Sequence, residues 1–283
     1  MKNRKHKLAV LLILLGLIFW LLWANRALEQ TSYTISSGKL PDAFDGFRIV
    51  HISDLHNAEF GQDNEKLLQM IAKAQPDLIA ITGDLIDSRR TDMDIALRFA
   101  EEAVEIAPCY YVTGNHESRL DDYDVLRAGL RIRGVTVLEN ACADIERDGA
   151  LVTLLGVDDP VFSSAYSTEE GNELMNEKLP ELLQGSAPFT ILLSHRPELF
   201  DAYVQHGLGL VLTGHAHGGQ VRLPWLGGLY LPGEGFFPEL DAGMFAENGT
   251  TMIISRGIGN SVIPLRVNNR PEVVVIELQY ATN

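Results

Sequence analysis

The sequence predicts an α/β domain, with a largely parallel first sheet and a second sheet containing antiparallel pairs, behind one N-terminal membrane helix. Five short apolar runs of strand length each end abruptly in a small polar cluster, and helical patterns lie between the runs. Apolar runs bounded by turn residues indicate strands buried on both faces, and their alternation with helices indicates a parallel sheet. An unbroken apolar run near the N-terminus predicts the membrane helix.

The composition is that of a folded globular protein. The chain has 283 residues, of which 46% are hydrophobic and 22% charged, close to ordinary globular usage. Its formal net charge of −15 is unfavourable for nucleic-acid binding, which needs a basic face, so we expect none. Two cysteines, Cys109 and Cys142, exclude a CxxC metal motif. They form either a disulfide in an oxidising compartment or two buried thiols.

The first element is a candidate membrane anchor at residues 8–24. This run has no charged residue and would form a helix of about 26 Å, against a hydrocarbon core of about 30 Å. Trp20 and Trp23 stand at its end, where interfacial aromatic residues are expected. A buried core helix would show a polar face, and this run has none. A cleaved signal peptide is the serious alternative, but small residues do not occupy the expected cleavage positions, which favours an uncleaved anchor.

The flanking charges predict the orientation of this anchor. Lys2, Arg4, Lys5 and Lys7 precede the run, whereas Arg26 alone follows it closely. The positive-inside rule therefore predicts a single-pass protein of the cell membrane whose large domain is extracytoplasmic. The expected organisation is a tail and transmembrane anchor at 1–25, a stalk with the strand leading into the domain at 26–45, and the folded domain at 46–283.

The remaining elements follow in order. The predicted strands are 47–52, 78–81, 110–112, 189–193 and 208–212. The predicted helices are 64–74, 91–106, 121–133 and 169–183. Strands with fewer helices between them at 135–157 and 251–278 predict the second sheet, and the glycine-rich segment 225–238 predicts a long loop.

Polar clusters at the carboxyl ends of these strands carry the candidate chemistry, because ligands bind there in open α/β sheets. The clusters contain Asp54, His56, Asp84, Asn115, His116, His195, His215 and His217. Imidazole and carboxylate ligands together favour Zn, Fe or Mn. There are enough ligands for two ions, and a carboxylate such as Asp84 can bridge a pair about 4 Å apart, a recurrent device of phosphoryl hydrolysis.

The ordered set of clusters is more informative than any one of them. G-D and G-N dipeptides are ordinary turns, and a single histidine such as His195 is more often a core or surface residue. His215 and His217 are more specific, because residues two apart point to one side of an extended segment. Five clusters at five predicted strand ends indicate a common metal site.

These motifs resemble the calcineurin-like metallophosphoesterase superfamily. The residues that carry the resemblance are Asp54-Leu55-His56, Gly83-Asp84-Leu85-Ile86-Asp87, Gly114-Asn115-His116-Glu117, His195 and Gly214-His215-Ala216-His217. Residues 218–224 and 255–259 are similar to a bacterial membrane-associated branch typified by YkuE and YaeI. The resemblance covers about residues 45–280, and every metal-binding residue of the family motifs has a counterpart in this sequence.

The resemblance implies a two-sheet mixed β-sandwich flanked by helices and a site for two divalent ions, Mn, Fe or Zn. The implied metal ligands are Asp54, His56 and His217 for one ion, Asn115, His195 and His215 for the other, and Asp84 as the bridge between them. The resemblance also implies that His116 is a catalytic residue that binds no metal and that Asp87 orients it.

The predicted function is a membrane-anchored phosphohydrolase that cleaves phosphodiester or pyrophosphate bonds through a metal-activated hydroxide. Lipid-linked and envelope molecules are candidate substrates, since the loop at 225–237 is aromatic; packing of that loop on its own domain explains it equally well. The alternative is a non-catalytic binding or scaffold protein, which should have lost ligands. Candidate phosphate contacts are Arg119, Arg196 and Arg222. Glu117 is either a partner of the site or a solvated acid at a helix start, and the solvated acid is the favoured alternative.

Overall fold

The computed structural model describes residues 2–231, 234–260 and 265–282. Its helices are α1 (Lys2–Ala24), α2 (Glu65–Ala74), α3 (Met93–Val104), α4 (Tyr123–Ile132), α5 (Thr168–Leu182) and α6 (Phe200–Gln205). Its strands are β1 (Glu29–Ser37), β2 (Arg48–Ile52), β3 (Leu78–Thr82), β4 (Cys109–Val112), β5 (Thr136–Val137), β6 (Ala141–Arg147), β7 (Ala150–Gly156), β8 (Thr190–Leu193), β9 (Leu210–Thr213), β10 (Arg222–Leu223), β11 (Gly227–Gly228), β12 (Tyr230–Leu231), β13 (Gly235–Phe236), β14 (Gly243–Glu247), β15 (Thr250–Ile254) and β16 (Glu272–Tyr280).

Two six-stranded sheets form the body of the fold. The first has the order β1-β16-β2-β3-β4-β5, and its neighbours are parallel except for β16 and β2. The second has the order β14-β15-β9-β8-β7-β6, with antiparallel pairs only at its two edges. The predicted two-sheet mixed architecture with flanking helices is therefore confirmed.

The continuous apolar runs are explained by burial on both faces of each sheet. In β2, Ile49 enters the apolar layer between the sheets, whereas Val50 and Ile52 pack in the layer with α2, α3 and α4. Alternate residues of a strand point to opposite faces, so a strand between two apolar layers needs apolar residues at every position. A third apolar layer lies between the second sheet and α5 and α6.

The four predicted helices of the domain are present with slightly shifted ends. The helix expected from residue 91 begins at Met93, because the Asp92 side chain accepts a hydrogen bond from the Asp94 amide and caps the helix. Ser167 and Glu170 form a capping box that begins α5. Helix α6 was not expected from the sequence. The segment expected to be a long loop at 225–238 contributes to the two-stranded sheets β10-β11 and β12-β13.

The segment at 26–45, expected to be a stalk with the strand leading into the domain, contains β1. This strand is parallel to β16 along its whole length, from Glu29 beside Glu272 to Ser37 beside Tyr280. Helix α1 is long and apolar enough to cross a membrane, and only 6% of its apolar window is buried against the rest of the chain. The chain therefore passes from the end of α1 into the first sheet within a few residues.

The two cysteines are free thiols rather than a disulfide. Cys109 is buried in β4, and burial raises the pKa of its thiol to about 12. Cys142 is exposed in β6. The alternatives of a disulfide and of two buried thiols are therefore both wrong, since the two residues lie in different sheets and only one is buried.

Candidate metal centre

Loops from both sheets meet at one site. The polar clusters after β2, β3 and β4 come from the first sheet, and those after β8 and β9 come from the second. Strand β3 packs against both β8 and β9. The carboxyl ends of these strands therefore lie together, and their loops bring the sequence-predicted residues into two groups that share Asp84.

The first group contains Asp54, His56 and His217. Nε2 of His217 lies 3.2 Å from Oδ1 of Asp54 and 3.1 Å from Nε2 of His56. Nε2 of His56 lies 3.7 Å from the same carboxylate oxygen. Ligand atoms of all three residues lie within 4.8 Å of one another.

The second group contains Asp84, His195 and His215, whose ligand atoms also lie within 4.8 Å of one another. Oδ2 of Asp84 lies 3.3 Å from Nε2 of His195 and 3.5 Å from Nε2 of His56 in the first group. The Asp84 carboxylate thus lies between His195 of the second group and His56 of the first.

The residues fit divalent metal ions. Ligands at about 2.1 Å around a tetrahedral ion are about 3.4 Å apart, close to the separations in both groups. Within the described part of the chain, three buried candidate ligand atoms have no hydrogen-bond partner: Oδ1 of Asp54, Oδ1 of Asn115 and Nε2 of His195. Native proteins rarely leave buried polar atoms unsatisfied, so these atoms are suited to coordinate a cation. The mixture of nitrogen and oxygen donors suits Zn, Fe or Mn.

The electrostatics of the site also favour positive charge. Burial opposes ionisation of Asp54 and Asp84, but the neighbouring histidines hold the pKa of both carboxyl groups below its usual range. Burial would likewise oppose a charge on His195, yet the carboxylate of Asp84 raises the pKa of that imidazole to about 10. Two buried carboxylates therefore make a site that a cation stabilises.

Strained backbone conformations accompany the candidate ligands. Positive φ angles occur at Asp54 (54°), His56 (46°), Asp84 (52°), His215 (64°) and His217 (48°). Residues other than glycine seldom adopt this left-handed backbone region. Such strain persists only where the surrounding structure enforces it, and it is concentrated at functional sites. The conformations of the turns after the strands therefore direct the imidazole and carboxylate groups toward the candidate metal centre.

Two glycines of the motifs are required by close approach. A Cβ atom on Gly214 would lie 1.8 Å from Oγ of Ser53 and 2.3 Å from Oδ2 of Asp54. A Cβ atom on Gly83 would lie 2.6 Å from the backbone of Gly114. Any side chain at these positions would push the loops of the two groups apart.

Glu117 corrects an expectation. It was expected to be a solvated acid at a helix start, but its side chain is fully buried. Its carboxylate accepts hydrogen bonds from the amides of Asp84 at 2.9 Å and Gly114 at 2.8 Å. Burial, with Asp84 nearby, raises the pKa of Glu117 to about 7. Glu117 therefore ties together the loops after β3 and β4, a role visible only once those loops are adjacent.

His116 lies beside the site, with ligand atoms of His56 and Asp84 within 4.8 Å. Its Nδ1 accepts a 3.0 Å hydrogen bond from the amide of Ser88, and the carboxylate of Asp87 lies 3.6 Å from the same nitrogen. The side chain of Asp87 also accepts a 3.0 Å hydrogen bond from Arg89. Burial lowers the pKa of His116 to about 4, so the ring is neutral at neutral pH. Sequence reasoning did not identify Ser88.

The three candidate arginines differ in their surroundings. Arg196 is held by Asp159, with a shortest distance of 2.5 Å, and its Nη1 lies 2.9 Å from Nε2 of His215. Arg222 lies 3.1 Å from Asp241. Arg119 is exposed and lines the cavity beside the site, so it has the most freedom to contact a phosphoryl oxygen.

Arg266 is a contact of the site that sequence reasoning missed. It is fully buried, and its Nη2 lies 3.3 Å from Nδ1 of His217. The same guanidinium donates to the carbonyl of Arg256 at 2.8 Å and to the side chain of Asn260 at 3.2 Å. Its backbone amide donates to the side chain of Asn25, just beyond α1, at 2.7 Å. No local motif marks this residue, since His217 and Asn25 are distant from it in sequence.

A cavity of about 480 Å³ opens beside the two groups. Its polar wall includes Asp84, His116 and His217. Its lining also includes the apolar residues Val221, Leu229 and Leu231 and the ring of Tyr230. A molecule bound in this cavity would therefore lie beside both the candidate ligands and apolar side chains.

Comparison with known proteins agrees with this geometry. A model of the calcineurin-like phosphoesterase family matches residues 47–219. The Bacillus subtilis metallophosphoesterase YkuE is 31% identical, over 89% of this chain and 86% of its own. The Escherichia coli phosphodiesterase YaeI is 29% identical, over 82% of each chain. A Danio rerio transmembrane protein with a metallophosphoesterase domain is 29% identical, over 98% of this chain and 63% of its own.

Proposed function

We propose that this chain, which belongs to the calcineurin-like phosphoesterase family, is a membrane-anchored phosphohydrolase with two metal ions that cleaves phosphodiester or pyrophosphate bonds. Its membership makes it a metal-dependent phosphoester hydrolase. The proposal of two metal ions is supported by the position of Asp84 between two groups of candidate metal-binding side chains. Paired ions that share a carboxylate are typical of hydrolytic phosphoryl transfer.

The proposed ligands follow the two groups. Asp54, His56 and His217 hold one ion, and Asp84 is shared between the two sites. The other ion is held by Asn115, His195 and His215. Support for Asn115 comes from its buried, unpartnered Oδ1 atom.

Two bound ions would lower the pKa of a water molecule and offset negative charge on the phosphoryl oxygens. The chain's own residues then orient the substrate. His116 is placed to donate a hydrogen bond from Nε2–H to the departing oxygen and so to offset its developing charge, because Nδ1 is already an acceptor. Arg119, at the exposed end of the cavity, is placed to contact a phosphoryl oxygen.

The cavity supports a substrate that carries an apolar group. Leu229, Tyr230 and Leu231 face the same space as His116, so an apolar alcohol or acyl chain would be removed from water beside the metals. YaeI is named a phosphodiesterase, which is consistent with a phosphate that carries two substituents. We therefore favour lipid or lipid-linked phosphodiesters of the cell envelope as substrates.

Membrane anchorage is proposed through α1. The helix is apolar and exposed, and the Danio rerio relative is named a transmembrane protein. Basic residues Lys2, Arg4, Lys5 and Lys7 lie at the N-terminal end, which favours a cytoplasmic N-terminus and an extracytoplasmic catalytic domain.

The proposed function is tested with the full chain purified in detergent. We expect about two divalent ions per chain by elemental analysis and, with Mn²⁺ supplied, turnover of phospholipids above that of nucleotide-sugars, cyclic nucleotides and phosphoproteins. Turnover restricted to phosphoproteins would contradict the substrate proposal. A metal-free protein that hydrolyses none of these compounds would instead support the scaffold function.

A further inference from the structure

One surface of the domain exposes large apolar side chains close together in the chain. We call this the aromatic surface and define it by Trp225, Leu226, Tyr230, Phe236 and Phe237. Trp225 is 101% exposed and Phe236 is 72% exposed. Single exposed apolar residues are ordinary, but the rings of Tyr230 and Phe236 lie 5.2 Å apart on paired strands. A grouped apolar surface marks an interaction site.

The aromatic surface is tied to the end of the anchor by a short segment, residues 265–270. On one side, the amide of Arg222 donates to the carbonyl of Val267 at 2.9 Å. On the other side, the backbone of Arg266 forms two hydrogen bonds with the side chain of Asn25, at 2.7 and 2.9 Å. Arg266 and Val267 are consecutive residues, so β10 and the end of α1 are held on either side of one short stretch of chain.

A second contact fixes the same junction. The guanidinium of Arg270 lies 5.0 Å above the ring of Trp23 near the end of α1. It also donates to the carbonyls of Ala27 at 2.9 Å and Leu28 at 2.5 Å. The domain is therefore attached to the anchor by several polar contacts rather than by a free linker, so the side that carries the aromatic surface has a fixed relation to the membrane.

The segment that carries the aromatic surface also lines the cavity beside the candidate metal centre. Leu229, Tyr230 and Leu231 line the cavity that also contains His116 and His217. An apolar path therefore leads from the exposed side chains of this segment to the candidate metal ligands. If a bilayer contacted the aromatic surface, its hydrocarbon would adjoin this apolar path to the cavity.

We propose that the aromatic surface docks on the lipid bilayer beside α1, so that the cavity receives acyl-bearing phosphodiesters directly from the membrane. This inference rests on the proposed anchoring and phosphoester hydrolysis. The attraction is apolar, because residues 8–283 carry a formal charge of −19 once the four basic residues of the first seven are set aside. Trp, Tyr and Phe are suited to the membrane interface, and burial of apolar surface supplies the free energy.

The docking is tested by fluorescence quenching with the full chain reconstituted in phosphatidylcholine vesicles. The chain has three tryptophans, so W20F and W23F leave Trp225 as the probe. We expect phosphatidylcholine brominated on its acyl chains to quench Trp225 emission, more strongly with bromine near the carbonyl than near the chain end.

The matched control places a probe on another exposed apolar position. Ile132, at the end of α4, is 83% exposed, and I132W combined with W20F, W23F and W225F should not be quenched. Absence of Trp225 quenching would overturn the proposal. If the unquenched chain also self-associates in the vesicles, a second copy of the chain covers the surface instead of the bilayer.

An activity measurement distinguishes this proposal from the proposed function. Because Trp225 and Phe236 are exposed, W225S with F236S leaves the core intact. We expect kcat/KM for long-chain phosphatidylcholine in vesicles to fall about tenfold, equivalent to about 1.4 kcal/mol, with no change for soluble bis-p-nitrophenyl phosphate. Equal loss on both substrates, or no loss on either, would contradict docking. If the wild-type chain hydrolysed neither compound, the proposed function would fail while the quenching result still decided the docking.

Discussion

The amide of Ser88 donates a hydrogen bond of 3.0 Å to Nδ1 of His116. A neutral imidazole has one donor nitrogen and one acceptor nitrogen. Since Nδ1 is the acceptor, the proton resides on Nε2. In this tautomer Nε2, the ring nitrogen away from Ser88, is a hydrogen-bond donor. The tautomer is selected by the backbone amide of Ser88 rather than by Asp87.

His116→Ala should slow phosphodiesters with alkyl leaving groups far more than those with nitrophenyl groups. A nitrophenolate departs without help, whereas a departing alkoxide concentrates charge that the Nε2–H donor offsets, and removal of one such donor costs about 10²–10³-fold. The measurement is kcat/KM for both substrate types, with metal content as the control. Equal losses would indicate stabilisation of the phosphoryl oxygens instead, and loss of one metal would make His116 a ligand.

Asp84→Asn should reduce activity more than His217→Asn, which alters a ligand of one ion only. The Asp84 carboxylate lies beside His56 and His195, one from each group of ligands. An amide lacks the charge that offsets two dications. Metal stoichiometry and turnover are measured together. Retention of two ions with near-normal turnover in Asp84→Asn would exclude the bridging role.

Removal of residues 1–23 should give a folded, soluble and active domain, whereas removal of residues 1–30 should destabilise it. The longer deletion removes Asn25, which forms two hydrogen bonds with Arg266, and the first two residues of β1, which pair with β16. A deletion to residue 30 would be harmless only if residues 26–30 were a free stalk. Thermal unfolding of the two proteins decides between these views, and equal Tm values would restore the stalk interpretation.

Glu117→Gln should lower stability and metal retention. Oε2 of Glu117 accepts from the amides of Asp84 and Gly114, and Oε1 accepts from the amide of Ile86 at 3.4 Å. Either orientation of a glutamine amide would therefore turn its NH₂ group toward at least one backbone N–H. An unsatisfied buried group costs about 1–3 kcal/mol, which corresponds to a Tm decrease of about 2–4 °C for each kcal/mol in a domain of this size. The control is Glu102→Gln on the exposed face of α3, whose Tm should match wild type. A normal Tm and normal metal content in Glu117→Gln would contradict this role.

Thiol labelling in intact cells tests the orientation of the anchor. Cys142 is exposed on the catalytic domain and Cys109 is buried, so an impermeant maleimide should label the native chain at Cys142. Asn3→Cys combined with Cys142→Ser should stay unlabelled until the cells are permeabilised, because we expect the N-terminus to be cytoplasmic. The reverse pattern would place the catalytic domain in the cytoplasm and direct the search for substrates there.

The sequence by itself determined most strands of the two large sheets, most helices, the family and the candidate ligands. These features are local, since periodicity reflects which faces of a segment are buried, and each motif occupies a few consecutive residues at the end of one strand. Asp54, Asp84 and Asn115 could be identified in this way because parallel strands of one sheet end at one edge.

The tertiary structure alone decided how the loops support one another. Packing of the two sheets brings His195 of the second sheet to Asp84 of the first and buries Glu117 between two loops. Asn25 and Arg266 form their hydrogen bonds across 241 residues of sequence. Such contacts depend on which strands become neighbours and on how the layers are stacked, and the apolar pattern of a single strand carries neither. The residues that hold the site together were therefore missed or misassigned, although the residues that form it were found.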